Sequence, residues 1–254
     1  MSSRVDHLVA EFFVLEVKLL ACHARLSAST DSEALHDLRT TVRRLRSVLR
    51  PLRGLSGIDQ LEEAARAVGQ LTTPLRDMQV LEAFLAQKGL AEAAQRRHDY
   101  LRQACPAVAT SGELRRLLGM LDQFPGFVRV QQRQGLLRGL AKRIRKRLNK
   151  QWRQLEEAIA DPAHDRHRLR LLIKRVRYAA EAYPEFSPPA KAIVRLKAAQ
   201  SALGDWHDHL QWLAQAGQQG DLAPCIAGWQ LAIVRAEHKA DKALERLHKA
   251  CFAD

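Results

Sequence analysis

Residues 36–52 read HDLRTTVRRLRSVLRPL, and residues 167–183 read HRLRLLIKRVRYAAEAY. The two stretches begin alike and lie 131 residues apart. This duplication limits the possible folds more than any other feature, because one ungapped offset carries the match across several segments. His36 falls on His167, Leu38 on Leu169, Arg39 on Arg170, Arg43 on Lys174, Arg44 on Arg175 and Arg46 on Arg177. The same offset places Arg66 on Lys197, Asp77 on Asp208, Phe13 on Ile144 and Val17 on Leu148. The expected architecture is two similar helical bundles, 1–125 and 126–254, related by a pseudo-two-fold axis.

The chain reads as all-α. Ala, Leu, Arg, Gln and Glu dominate, and apolar residues recur at steps of three and four. Helices are expected over 4–27, 33–52, 58–88, 90–104 and 112–123. A break at Phe124-Pro125-Gly126 precedes helices over 131–159, 164–182, 189–216 and 222–250. Antiparallel helices joined by short loops bury their apolar stripes as four-helix-like bundles. Residues 12–22, FFVLEVKLLAC, end like a lipoprotein cleavage site. Glu16 and Lys18 interrupt the apolar run, so the segment reads as an amphipathic helix rather than a signal peptide. No run of 18 apolar residues suggests a transmembrane helix.

On the helix that begins near Glu33, Leu38, Val42, Leu45, Leu49 and Leu52 make one apolar stripe that faces a bundle core. His36, Arg39, Arg43, Arg46 and Arg50 make a second stripe, about a third of a turn away. In the second copy the core stripe is Leu169, Ile173, Val176 and Ala180, and the basic stripe is His167, Arg170, Lys174 and Arg177. Like charges one turn apart repel by a few tenths of a kcal/mol per pair. A charge run is ordinarily a solvated face, but solvated faces mix signs, and these stripes carry no acid until Glu181. Duplication points instead to two cationic rows facing each other across a basic groove or pore. Guanidinium groups fork parallel N–H donors onto phosphate oxygens, and a histidine in the first turn can add a donor. A second tier of candidate cations is Lys18, Arg50, Arg66, Arg138, Lys142, Arg145 and Lys197. Asp77 and Asp208 are expected to orient the lining through internal salt bridges.

Composition fits a polyanionic partner. Of the 254 residues, 41 are Lys or Arg against 28 Asp or Glu, a formal net charge of +13. Such an excess favours nucleic acid, an anionic surface or a phosphate polymer. The four cysteines are scattered without a C-x-x-C pair, which argues against a zinc ribbon and for reduced thiols in a reducing compartment.

The repeated pieces H-x-L-R-x-x-x-R-R-L-R at 36–46 and H-x-L-R-x-x-x-K-R-V-R at 167–177, with L-R-D-M-Q-V at 75–80 and Q-S-A-L-G-D-W-H-D at 200–208, resemble the CHAD domain, the conserved-histidine α-helical domain. The resemblance covers essentially the whole chain. One departure is Gln79, where the family often carries a second acid. The resemblance implies two four-helix-like bundles with a basic central cavity, binding of inorganic polyphosphate, and in some members association with polyphosphate granules in the cytoplasm. By carry-over the binding positions are His36, Arg39, Arg43, Arg46, His167, Arg170, Lys174 and Arg177. Some members carry a triphosphatase domain with an E-x-E-x-K signature, which is absent from this stand-alone sequence.

Other chemistry is weaker. Asp205, His207, Asp208 and His209 suggest a metal site, but on a helix His207 points away from the other three, and a cation site beside so many arginines is electrostatically poor. No Gly-rich phosphate loop or nucleophile motif occurs. A binding module without enzyme activity, metal or cofactor is therefore expected. Nucleic acid is the rival partner, since it too would bind through counterion release. Aromatics make up only 6% of the chain and none lies on the stripes, so base-stacking platforms are missing. A groove between facing stripes would also be too narrow for a duplex about 20 Å across. A scaffold for an acidic protein or membrane surface is a third class, and it leaves the duplicated histidines unexplained.

Overall fold

The computed structural model describes residues 2–252. Its α-helices are α1 Ser2–Ala28, α2 Ala34–Leu49, α3 Ile58–Gln87, α4 Ala91–Ala109, α5 Gly112–Arg133, α6 Leu140–Ala160, α7 Arg166–Ala182, α8 Ala190–Ala216 and α9 Ile226–Cys251. Short 3-10 turns cover Arg50–Leu52, Pro184–Phe186 and Gly220–Cys225. No strand occurs among the described residues. No helix among them is long and apolar enough to cross a membrane.

The chain forms two compact units, Met1–Ile144 and Arg145–Asp254. In the first, α1 packs on α2, α4 and α5, while α3 packs on α2, α4 and α5. The expected core stripe of α2 is buried throughout: Leu38, Val42, Leu45, Leu49 and Leu52 all face inward. In the second unit α8 lies along both α7 and α9. Its core gathers Leu155 of α6, Leu169, Ile173 and Val176 of α7, Leu196 and Leu203 of α8, and Leu244 and Leu247 of α9. The stripe expected for the second copy is therefore also a core stripe.

Two expectations are corrected. The break placed at Phe124-Pro125-Gly126 is not a break: α5 runs through it, with Pro125 inside the helix. An internal proline costs about 3 kcal/mol through a lost backbone bond and a ring clash. Burial of Phe124 and Val128 offsets a similar amount, at about 1.5–3 kcal/mol per large apolar side chain. Phe124 packs edge-on against Phe12 of α1, with ring centroids 4.9 Å apart. The chain instead turns between α5 and α6, where Gly135 and Gly139 adopt φ of +73° and +72°, a region open mainly to glycine. The helix expected from 131 thus starts at Leu140, and the expected 125/126 boundary lies inside α5, which belongs whole to the first unit.

The second correction concerns the pairing of α1 with α6. At the 131-residue offset Phe13 and Val17 match Ile144 and Leu148 in sequence but not in burial. Phe13 is 52% and Val17 64% exposed, whereas Ile144 and Leu148 are buried. The core face of α1 runs instead through Phe12, Leu15 and Leu19. The repeat is strict in the two arginine-bearing helices and rotates in the helices before them.

Candidate anion-binding site

The start of α2 is pinned before any ligand is considered. Arg25, near the end of α1, donates to Asp31 through Nε at 2.9 Å and Nη2 at 2.7 Å, and to Asp37 through Nη1 at 2.6 Å. Asp31 in turn accepts from the Glu33 backbone N–H at 3.0 Å. The hydrogen bonds from Arg25 hold the Asp31 carboxyl down to about 2. This clasp fixes the first turn of α2, where half-buried His36 sits. In the second unit the Asp165 side chain caps α7 by accepting from the His167 N–H at 2.8 Å.

From this start α2 carries its basic stripe across α3. Arg39 is half-buried, and its Nη1 donates to the Gly69 carbonyl at 3.1 Å, to Thr72 Oγ1 at 2.9 Å and to Thr73 Oγ1 at 3.1 Å. Each threonine hydroxyl gives its own proton back along α3, Thr72 to the Val68 carbonyl and Thr73 to the Gly69 carbonyl. Each therefore turns a lone pair toward the guanidinium. Burial lowers the Arg39 pKa, Asp77 opposes that, and the charges of Arg43 and Arg76 lower it further. Arg43 is exposed and donates to Thr40 Oγ1 at 3.3 Å. Arg46 lies over the other side of Gly69, with Nη1 3.7 Å from where a Cβ would stand.

The second unit repeats the arrangement with different side chains. Arg177, at the position of Arg46, donates Nε to Gln200 Oε1 at 2.6 Å, and Gln200 stands where the first copy has Gly69. Arg177 also donates Nη1 to Glu181 at 2.5 Å and covers the Tyr178 ring at 4.4 Å. Gln200, Glu181 and the Tyr178 ring thus anchor it. His167 is exposed, while Arg170 and Lys174 are half-buried. His207 of α8 faces this stripe, its ring centroid 5.4 Å from that of His167. Burial first, then the charges of Arg170, His167 and Lys174, bring the His207 pKa down to about 4.

Two residues join the site that the stripes alone did not supply: Arg76 on α3 and His207 on α8. The offset of 131 pairs them with each other. Arg76 also donates to Gln79 Oε1 at 3.2 Å, and Gln79 Nε2 donates to the Ser32 carbonyl at 3.0 Å. Gln79, the departure from the family pattern, thereby ties α3 to the loop that launches α2.

The second-tier cations scatter. Arg50 points to buried Glu62 at 3.9 Å, beside Arg53, which grips the same carboxylate through both oxygens. Arg66 is exposed and forms a two-pronged pair with Glu63 one turn earlier, at 2.9 and 2.6 Å. Arg138 folds over Gly135 in the turn before α6. Arg145 stacks over the Phe186 ring at 5.2 Å. Lys18, Lys142 and Lys197 are exposed. Asp77 acts on Arg39 through its charge, whereas half-buried Asp208 sits on α8 next to His207 in sequence. The GDWHDHL acids and histidines diverge. Asp205 takes Lys239 at 2.7 Å, and His209 Nδ1 lies 2.6 Å from the carbonyl of Asp205. No group of three potential metal-ligating side chains occurs among the described residues.

Fold and site together define an all-helical protein with a cationic stripe in each of its two helical units. The family model for the CHAD domain matches residues 17–217, and the chain belongs to that family. Among solved structures, the CHAD domain from the plant Ricinus communis is similar at a TM-score of 0.67 and 22% identity, covering 96% of this chain and 91% of that one. No curated protein matches this chain.

Proposed function

We propose that this chain binds inorganic polyphosphate through the two stripes and does not cleave it. The observation that carries the reading is the crowding of like charge. The charges of Arg43 and Arg76 bear on Arg39, and those of Arg170, His167 and Lys174 bear on His207. Clustered cations that depress one another's ionisation gain stability when an anion neutralises them. Arg39 also commits a single nitrogen, Nη1, to the protein, which leaves Nε and Nη2 for phosphate oxygens. Family membership supports the same ligand, and localisation to polyphosphate granules goes with it.

A competition titration at about 150 mM salt, where screening extends about 8 Å, tests the reading. Long-chain polyphosphate competes with single-stranded and duplex nucleic acid at matched phosphate concentration. Polyphosphate is expected to win by orders of magnitude and to keep its chain length on incubation. Equal affinities would make the stripes a general polyanion or acidic-partner surface, and shortened chains would make the protein an enzyme.

A further inference from the structure

The second unit holds a cavity that the basic stripes do not use. It offers about 600 Å³ where the ends of α7 and α9 meet α6 and the start of α8. That volume lies in the range of small-molecule sites. Leu148 and Trp152 of α6, Val176 and Ala180 of α7, and Phe186 form most of its apolar wall. Trp152 is itself braced by Phe252, with ring centroids 5.0 Å apart.

Three polar features bear on what would fill it. The Gln151 side-chain oxygen is buried and accepts no hydrogen bond. Gln151 lines the cavity. An unsatisfied buried acceptor costs free energy that a donor on a ligand would recover once the Gln151 side chain turns its shielded oxygen toward the cavity. Lys191 lines the cavity from the first turn of α8. Its charge, with that of Arg195, reaches the thiol of Cys251, another lining residue. Finally, α8 starts at Pro189 without a side-chain cap, so the positive end of a 27-residue helix opens beside Lys191.

We infer that this cavity binds a small amphipathic carboxylate: an acyl or aryl body against Trp152, Phe186 and Val176, one N–H or O–H donor for Gln151 Oε1, and the anionic end at Lys191. Neutral apolar molecules lack the partner for Lys191. Phosphate polymers lack the apolar body, so the cavity is separate from the polyphosphate reading and does not rest on it. Cys251 stays a protonated thiol because burial outweighs the two cations, and it forms part of the wall rather than a nucleophile.

The test uses N-decanoylglycine as the probe, titrated into the full chain by calorimetry below its micelle concentration. It carries an alkyl body, an amide N–H and a carboxylate. Saturable binding of one molecule per chain is expected. The methyl ester of the probe should bind at least about tenfold more weakly, equivalent to ~1.4 kcal/mol. Lys191→Glu should weaken the acid by a similar factor while leaving polyphosphate binding and helicity unchanged. Ala180→Trp should block the cavity. Lys191 is exposed, so its reversal keeps the test meaningful even if the tryptophan variant misfolds. Absence of saturable binding, equal binding of acid and ester, or indifference to Lys191→Glu would each overturn the inference.

Discussion

His207 faces His167 with ring centroids 5.4 Å apart, and the two rings come from different helices, α8 and α7. Neither the duplicated motif nor the helix wheel of α7 contains that relationship. It makes the cationic cluster of the second unit responsive to pH. His207 is held near 4, well below an ordinary imidazole, by burial and then by Arg170, His167 and Lys174. As pH falls below about 6.5 the unfolded chain takes up the His207 proton before the folded chain does. This group's contribution to stability is therefore full above about 6.5 and is lost as pH falls toward 4.

A bound polyanion reverses that bias, because negative charge beside His207 favours the imidazolium. Polyphosphate affinity should rise as pH is lowered from 8 to 6, with uptake of protons on binding. Calorimetry in buffers of different ionisation enthalpy measures that uptake. His207→Gln should flatten the pH dependence while keeping binding at pH 8. A wild-type affinity independent of pH over this range would remove His207 from the site.

Arg43 is exposed and Lys174 half-buried, and neither lies on a core stripe. Charge reversal of both, Arg43→Glu with Lys174→Glu, should leave helicity and thermal stability nearly unchanged. Each charge-assisted hydrogen bond contributes about 1.5–3 kcal/mol. Polyphosphate affinity should therefore fall by about two orders of magnitude or more. The slope of log affinity against log salt should also drop, since fewer counterions are released. Binding that survives in this variant would falsify the site assignment.

The arginine stripes were legible because α2 and α7 each carry a narrow apolar row with the charges a third of a turn away, and burial follows that row from Leu38 to Leu52 and from Leu169 to Ala180. Arg76 and His207 were not, because α3 and α8 spread small and apolar residues around the helix. No single face stands out in GQLTTPLRDMQVL or AAQSALGDWHDHL. What selects the inward face there is tertiary contact with α2 and α7. The helix runs through the break expected after 123 for a related reason. Pro-Gly is a strong local stop signal, but burial of Phe124 and Val128 offsets an amount similar to what Pro125 costs. The true turn depended on Gly135 and Gly139, which sit in an arginine- and leucine-rich stretch that looks helical by composition.

Arg39 differs from Arg43 in what it holds. Its Nη1 ties α2 to Gly69, Thr72 and Thr73 of α3. Arg39→Ala should cost about 2 kcal/mol of stability, the range for hydrogen bonds to a charged donor. Arg43→Ala should change stability by less than about 0.5 kcal/mol, as for a surface substitution. Both should weaken polyphosphate. Chemical denaturation of the two single variants separates the roles, and equal stability losses would show that the α3 anchor carries no weight.

Arg50 continues the stripe of α2 in sequence but belongs to a different system. Glu62 has 8% of its side chain exposed and is held by Arg53 through both oxygens, with Arg50 Nε 3.9 Å away. Removing one partner of a buried pair costs about 3–5 kcal/mol, because the remaining charge stays desolvated. Arg53 is half exposed and can rehydrate, so Glu62→Ala should fall at or below the low end of that range. Glu62→Gln should recover part of the loss by keeping acceptor geometry for Arg53. Arg50→Ala should lower stability modestly and leave polyphosphate affinity within about twofold of the parent, in contrast to Arg43→Ala. Denaturant midpoints set beside binding isotherms for Arg50→Ala and Glu62→Ala decide the point. An affinity loss in Arg50→Ala as large as that of Arg43→Ala would return Arg50 to the binding stripe.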